Sequence, residues 1–417
     1  MFGFLKGRLV FVRITMLAAA FMLIAIGVAT IYSVGHPAER GDSGAETKNF
    51  GELAGYWEKQ VQFGIVGVIA FLAVNLVNYR RFGAVSYWFY GFMLVILGLL
   101  LTAKYVNIWF IPEINNTHCW IKFGHGIPAI QPSEIFKIIY VIALAWYLRY
   151  RSNYRNLSVL VGPFALTILP MVLILLEPDL GTVLLMMPVL FAMLFVAGAK
   201  VKHLLIIILM AGMVSPLLYM KMRPYQRVRI SSVLLQSKWL QEKAEKYPAL
   251  GQILVGGKFS VKKWENGWGF HLIRSKYAVA SGGFGGNGFR SGPFVKYNFL
   301  PERHNDFIFA IIAHQWGFLG CLGVLGLYAI IIACGMEIAI HNTDPFGRLI
   351  AVGIAATFAI EVIVNMSMTL GLMPITGLTL PLVSYGGSSL LVSMASIGLL
   401  NNVGRCRPFT VAKKAFD

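Results

Sequence analysis

Apolar residues along this chain come in long unbroken blocks separated by short polar segments, whereas a soluble core shows short periodic stripes. Allowing about 20 apolar residues per membrane crossing, the pattern predicts ten helices. They fall at roughly 13–34, 60–78, 83–103, 131–148, 158–176, 180–198, 203–220, 306–335, 347–371 and 382–403. The expected fold is an all-α integral membrane protein, a single polytopic domain over residues 1–417, with no internal repeat. The first block follows Lys6 and Arg8, as a signal peptide would. Its length and the lack of a clean small-x-small cleavage site mark it instead as a retained anchor.

Composition agrees with that pattern. The chain is 57% hydrophobic and 13% charged, with a mean hydropathy of +0.68; a soluble protein carries roughly 25% charged residues. Cys119, Cys321, Cys334 and Cys406 show no paired spacing, so neither a disulfide framework nor a cysteine metal site is expected. Charge sets the orientation. Arg80 and Arg81, then Arg149, Arg151 and Arg155, then Lys200 and Lys202 fall in alternate short loops. Lys6, Arg8 and Arg13 at one terminus, and Arg405, Arg407, Lys413 and Lys414 at the other, belong to that same side, so both termini are expected in the cytoplasm.

The opposite side receives a large loop, 221–305, between the seventh and eighth helices. It holds 15 Lys or Arg against Glu242, Glu245, Glu265 and Glu302, and carries much of the net charge of +18. Loops beyond about 60 residues escape the charge rule, so the orientation stands. Two readings remain open for this loop: a solvated basic surface beside anionic membrane lipid, or a site for an anionic lipid-linked substrate such as a pyrophosphate. Nucleic acid is not an expected partner on this face.

Several polar clusters lie where helices meet that outer surface. In "IQPSEIFK", Pro132 suits a first helical position, and Glu134 and Lys137 share a face as an ion pair. The cluster reads either as a capped helix start or as a functional cation one turn into the membrane. "EPDLGT" (Glu177–Thr182) is turn chemistry, although Glu177 and Asp179 offer oxygens to a divalent cation, Mg or Mn. "GLMPITGLTLPLVSYGGSSLL" is apolar yet broken by Pro and Gly, as only backbone buried in protein or lining a cavity can be. Ser384 and the amides of Gly386 and Gly387 at the following helix start suit an anion or a sugar, or simply a tight packing turn. "SGGFGGNGFRSG" lacks the G-K-[ST] ending of a nucleotide-binding loop.

"FLPERHNDFIFA" is the densest cluster. With Pro301 as a first helical residue, Glu302 and Asp306 stand four apart on one helical face, opposed by Arg303 beside His304. Mutual repulsion and burial raise a carboxyl pKa while Arg303 opposes them, which tunes a general base. A dipole-capping role explains Glu302 but explains Asp306 poorly, since Asp306 lies beyond the first turn.

These motifs, together with "GFHLIRSKYAVASGGFGGNG", resemble the shape, elongation, division and sporulation (SEDS) family over nearly the whole chain, in the family's order among ten spans. "LPERHNDF" is similar to the elongation branch; the division branch usually has Ala where Arg303 stands. The resemblance implies a peptidoglycan glycosyltransferase that takes lipid II at the outer face of the bacterial cytoplasmic membrane, joins its disaccharides and releases undecaprenyl pyrophosphate. It implies a class B penicillin-binding transpeptidase as partner. By the same resemblance Asp306 is the essential loop aspartate, and Trp120, Glu134 and Lys137 are site residues. The matching motifs add Arg227 (in "YQRVR"), Lys276, Glu302, Arg303, His304, Ser384, Gly386 and Gly387 as substrate-binding candidates. Lys137, Lys276 and Arg303 are the expected cations for the leaving pyrophosphate.

The chain departs from the family in three places. Cys119 replaces the usual Arg before Trp120; His314 and Gln315 follow Ala313 where two acids are usual; and about 30 residues around 232–265 are inserted. Two rival functions fit ten spans: a flippase for the lipid-linked precursor, and a non-catalytic scaffold for the transpeptidase. A flippase needs polar groups at full depth, and here only Glu361 and Asn365 lie near mid-span.

Overall fold

The computed structural model describes residues 9–38, 53–103, 106, 108–113, 117–122, 124, 129–150, 157–177, 179–222, 224–297 and 299–405. Lys6, Arg8, Arg151, Arg155, Cys406, Arg407, Lys413 and Lys414 lie outside them. Ten helices match the ten apolar blocks: α1 (Val10–Gly35), α2 (Tyr56–Leu76), α3 (Tyr79–Ala103), α4 (Pro132–Leu148), α5 (Val161–Leu176), α6 (Leu180–Val196), α7 (Val201–Lys221), α14 (Ile308–His341), α15 (Pro345–Thr369) and α16 (Gly387–Arg405). Between α7 and α14 run α8 (Pro224–Leu234), α9 (Lys238–Lys246), α10 (Pro248–Val255), α11 (Val261–Glu265), α12 (Phe270–Gly282) and α13 (Pro293–Lys296). Ile121 and Ile130 form an isolated antiparallel bridge.

Helices α1, α2, α3, α7, α14 and α15 are long and apolar enough to cross a membrane, and α5 and α6 are shorter apolar helices. The remaining two, α4 and α16, carry polar side chains in the interior of the bundle. Ser133, Glu134 and Lys137 of α4, and Ser389, Ser393, Ser396, Asn401 and Asn402 of α16, are all buried. Such groups persist at membrane depth only with protein partners. Asn401 accordingly donates to Asn75 Oδ1 (2.6 Å) and Asn402 to the Val74 carbonyl (2.7 Å), both on α2. Those bonds accompany the broad packing of α16 on α2.

The two ends of the bundle differ in chemistry. At one end Asp344 caps α15 by accepting from Phe346 N (3.2 Å), and Arg80 and the Tyr79 hydroxyl donate to its other oxygen (3.1 and 2.7 Å). Arg405 donates to the Asn75 carbonyl (2.9 Å) near α2's end. The opposite end carries α8–α13. There α12 packs along α14, and Ser275 donates to the carbonyl of Thr369, the last residue of α15 (2.6 Å).

The glycine-rich segment rejected as a nucleotide loop has a structural task. Helix α14 is broken at Gly317, whose φ of 63° and ψ of −158° are open to glycine. The loop after α12 enters that break. Asn287 N donates to the His314 carbonyl (3.0 Å) and Gly288 N to that of Gln315 (3.0 Å), while Phe318 N donates back to Gly283 (3.0 Å). Backbone groups that the break would orphan are thereby satisfied. The approach is close: a Cβ on Gly286 would lie 2.1 Å from the Gln315 carbonyl oxygen.

The inserted segment folds as a small helical unit. Leu235, Ala244, Leu254, Phe259 and Trp264 form their own apolar cluster beneath α9–α11.

Candidate active site

The expected helical face carrying Glu302 and Asp306 does not form. Residues 301–307 make a tight turn, Glu302 takes a left-handed φ of 51° and is exposed, and the helix begins at Ile308. The reason lies in where the turn's polar groups go. Three successive carbonyls are held from outside: His304 O accepts from Tyr385 N (2.9 Å), Asn305 O from the Ser384 hydroxyl (2.8 Å) and Asp306 O from Asn365 Nδ2 (2.9 Å). A helix would turn those carbonyls inward along its own axis.

Arg303 is also placed differently from the expectation. Its guanidinium is buried and donates to the carbonyls of Phe294 (2.9 Å), Tyr297 (3.3 Å) and Val34 (3.5 Å), so it ties the turn to α13 and the end of α1. The cation whose charge acts to lower the Asp306 carboxyl is Arg229 on α8. Glu302 binds the Asn305 side chain (2.8 Å).

Asp306 itself is half-buried, with Gly377 across from it. A Cβ at Gly377 would stand 3.7 Å from Asp306 Oδ2, and Gly377 has φ 79°. Burial pushes the Asp306 carboxyl up to about 7; the Glu302 charge adds to the rise and Arg229 opposes it. The group thus changes charge near neutral pH, where a general base is most effective. His304 sits against the rings of Tyr56 (4.9 Å) and Tyr385 (5.7 Å), and burial lowers it to about 4, so at neutral pH it is an uncharged hydrogen-bonding group.

Below this turn lies a buried ionic cluster. Lys137 Nζ is 2.8 Å from Glu134 Oε2, as the spacing predicted, and 2.5 Å from Glu361 Oε1, which sequence reasoning had left unpaired. Asn365, one helical turn beyond Glu361 on α15, donates to both Asp306 O and Leu378 O (2.7 Å). Glu361 and Asn365, the two mid-span polar residues, therefore form a brace running from α4 to the Asp306 turn.

The other expected residues are also engaged. Ser384 is buried and accepts from Leu380 N (2.8 Å); Gly386 N donates to Gln60 Oε1 (3.3 Å), so that amide is already occupied; and Gly387, the first residue of α16, packs against Phe63. Gln60 also donates to the Ser384 carbonyl (3.0 Å). Arg227 is fastened to the end of α7 through the carbonyls of Met222 (3.0 Å) and Met220. Lys276, exposed on α12, donates to Gln236 Oε1 (2.8 Å). Trp120 is half-buried between the Ile121 bridge and Cys119, whose thiol donates to the Glu177 carbonyl (2.7 Å).

The acids of "EPDLGT" do not fit Mg or Mn as they stand. Asp179 caps α6 through Thr182 N (3.1 Å), and it also accepts from Ser133 (2.8 Å) and Gln131 (3.3 Å). Burial and the neighbouring Asp179 raise Glu177 to about 9, leaving it protonated at neutral pH. Among the described residues no three His, Cys, Asp or Glu side chains gather as a metal group.

The fold and site define a ten-span helical membrane protein with one tuned carboxylate at the mouth of a broken helix. The family model described as "Cell cycle protein" (FtsW/RodA/SpoVE) matches residues 13–407, so the chain belongs to that family, the SEDS proteins. It is 32% identical over 440 residues to the peptidoglycan glycosyltransferase RodA of Treponema pallidum (strain Nichols), covering 94% of this chain and 96% of that protein. It is 31% identical over 392 residues to the stage V sporulation protein E of Bacillus subtilis (strain 168), covering 92% and 94%. Among solved structures it resembles a chain of a peptidoglycan synthase complex that coordinates polymerization and crosslinking, with TM-score 0.69, 28% identity and 94% and 96% coverage. It also resembles the rod shape determining protein RodA of Thermus thermophilus, with TM-score 0.60, 26% identity and 94% and 95% coverage.

Residues missed from the sequence are Asn365 as a brace, Arg229, Gln60 and Gly377. Arg229 lay within the basic "YQRVR" stretch, and that run was the one available signal.

Proposed function

We propose that this chain is a peptidoglycan glycosyltransferase of the RodA kind, polymerising lipid II at the outer face of the bacterial cytoplasmic membrane during cell elongation. The observation that carries the mechanism is the carboxylate of Asp306, held at about 7 on a turn pinned through three consecutive carbonyls. A sugar hydroxyl is a poor nucleophile until a base takes its proton, and a positioned carboxylate supplies about 10²–10⁴-fold by doing so. In the proposed step Asp306 accepts the acceptor hydroxyl's proton, the oxygen bonds to the donor's anomeric carbon, and the bond from that carbon to the pyrophosphate breaks. Arg229, whose charge lowers the Asp306 carboxyl, is the cation assigned to the departing charge in this reading, with exposed Lys276 on α12 as a second. Lys137 is held by two carboxylates and serves the frame.

The alternation of Arg80, Arg149 and Lys200 with the α8–α13 end supports cytoplasmic termini and an outward-facing Asp306. Membrane lipid surrounds the ten spans, and the likeness to a synthase complex supports a class B penicillin-binding transpeptidase as partner. Glu361 argues against the flippase reading, since it is paired and buried rather than lining a path. The deciding experiment incubates the purified protein, with and without its transpeptidase, with lipid II and resolves products on a gel. Glycan polymer supports the assignment, and intact lipid II under both conditions rejects it.

A further inference from the structure

Apart from the Asp306 turn, the α8–α13 end of the molecule holds an open cleft of about 600 Å³. That is within the ~300–1,000 Å³ typical of ligand sites. One wall belongs to the inserted segment and the other to α12. The cations lining it are Lys238, Arg274 and Lys276; Glu265 is the one acid in the lining. Amides from Gln236 and Asn266 and the ring of Phe270 complete the chemistry that matters.

Two of these groups are already oriented. The Arg274 guanidinium lies 4.3 Å from the Phe270 ring centroid and 5.3 Å from that of Phe299, so less freedom is lost when it binds. Lys276 is held by Gln236, which in turn donates to the Gly371 carbonyl (2.7 Å). Gly371 begins the segment that brings Gly377 against Asp306. On the same helix as Arg274, His271 stacks over Phe307, the residue after Asp306, with centroids 6.1 Å apart and planes 6° apart. The cleft and the reaction turn are thus two ends of one short structural link.

Amides and aromatic rings beside cations suit a ligand that is both saccharide and carboxylate. We infer that the cleft holds the growing glycan strand by its acidic peptide-bearing sugar units as they leave the Asp306 turn. This inference rests on the proposed polymerase activity. A strand gripped there stays with the enzyme between additions, so the cleft sets strand length.

The test uses the full-length protein in nanodiscs and, as probe, short soluble oligomers of uncrosslinked disaccharide-pentapeptide. Binding is measured for the wild type, for a Lys238→Gln/Arg274→Gln double variant, and for Lys258→Gln, an exposed basic change on the same segment outside the cleft lining. The double variant should bind about tenfold more weakly and, given lipid II, should release strands several-fold shorter, while Lys258→Gln matches the wild type. Unchanged binding and strand length in the double variant overturn the cleft assignment. Equal weakening in Lys258→Gln reduces it to diffuse charge attraction, which also overturns it. Loss of transpeptidase binding with intact oligomer affinity overturns it in favour of a protein-docking face. Failure of the wild type to consume lipid II is a separate outcome: it rejects the activity, and the inference that rests on that activity falls with it, whatever the oligomer affinity.

Discussion

Asn365 Nδ2 lies 2.9 Å from the backbone carbonyl of Asp306, 59 residues away in sequence. The same amide holds the Leu378 carbonyl at 2.7 Å, so one side chain fixes the reaction turn and the segment facing it. Catalysis is sensitive to displacements of about 1 Å, which can cost ~10²-fold. Asn365→Leu should therefore lower turnover by about 10–100-fold with lipid II affinity little changed. A pH–rate profile with the same midpoint as the wild type distinguishes lost positioning from altered charge.

Asp306 gives the pH dependence its sign. The base acts as the carboxylate, so polymerisation should rise with pH through about 7 and level off above it. Asp306→Asn should cut the rate by about 10²-fold or more and flatten the profile. Stability runs the other way. The folded pKa lies above the unfolded value of 3.8, so protonation of Asp306 stabilises the fold fully below about 4, and that contribution fades as pH rises through about 7. In thermal melts the Asn variant should gain on the wild type from about pH 4 to about 7 and hold a constant lead above that. A lead independent of pH would contradict the raised pKa.

Arg229 is the charge that restrains that rise. Arg229→Gln should push the midpoint of the rate profile upward and reduce turnover at neutral pH. An unmoved midpoint would remove Arg229 from the site.

Lys137 bridges Glu134 and Glu361 in the bundle interior. Removing one partner from a buried ion pair costs about 3–5 kcal/mol because it leaves charge uncompensated. Lys137→Met should lower the yield and melting temperature of detergent-solubilised protein. A Lys137→Met/Glu361→Gln double variant should recover part of the loss. Full stability in the single variant would instead return Lys137 to a substrate-binding role.

The spans were legible because apolar blocks of this length leave few alternatives: the expected 131–148 and 180–198 became Pro132–Leu148 and Leu180–Val196. The Glu134–Lys137 pair was legible because three-residue spacing on a helix is local. The turn at 301–307 was not. Its shape is set by Ser384, Tyr385, Asn365 and the carbonyls of Phe294 and Val34, and no local pattern encodes contacts at such separations. For the same reason the sequence offered Arg303 as a cation for the leaving pyrophosphate, whereas its guanidinium donates to the carbonyls of Phe294, Tyr297 and Val34. Glycines that looked like a failed phosphate loop were legible as glycines, but their partner, the break at Gly317, lies in another helix.

That break bears on how the enzyme sits in a bilayer. Thirty-four helical residues would reach about 50 Å, against a hydrocarbon thickness of ~30 Å. An unbroken rod of that length would tilt as the membrane thinned or thickened, carrying its tip up or down. Interrupted at Gly317, α14 separates the two tasks. Phe318–His341 continues through the bundle core, where Tyr328 donates to the Pro381 carbonyl and Gly335 packs on Ala355, while Ile308–Trp316 is registered to α12 and the glycine loop. The height of the Asp306 turn is thereby set by protein contacts on both sides of the break rather than by the length of one continuous helix.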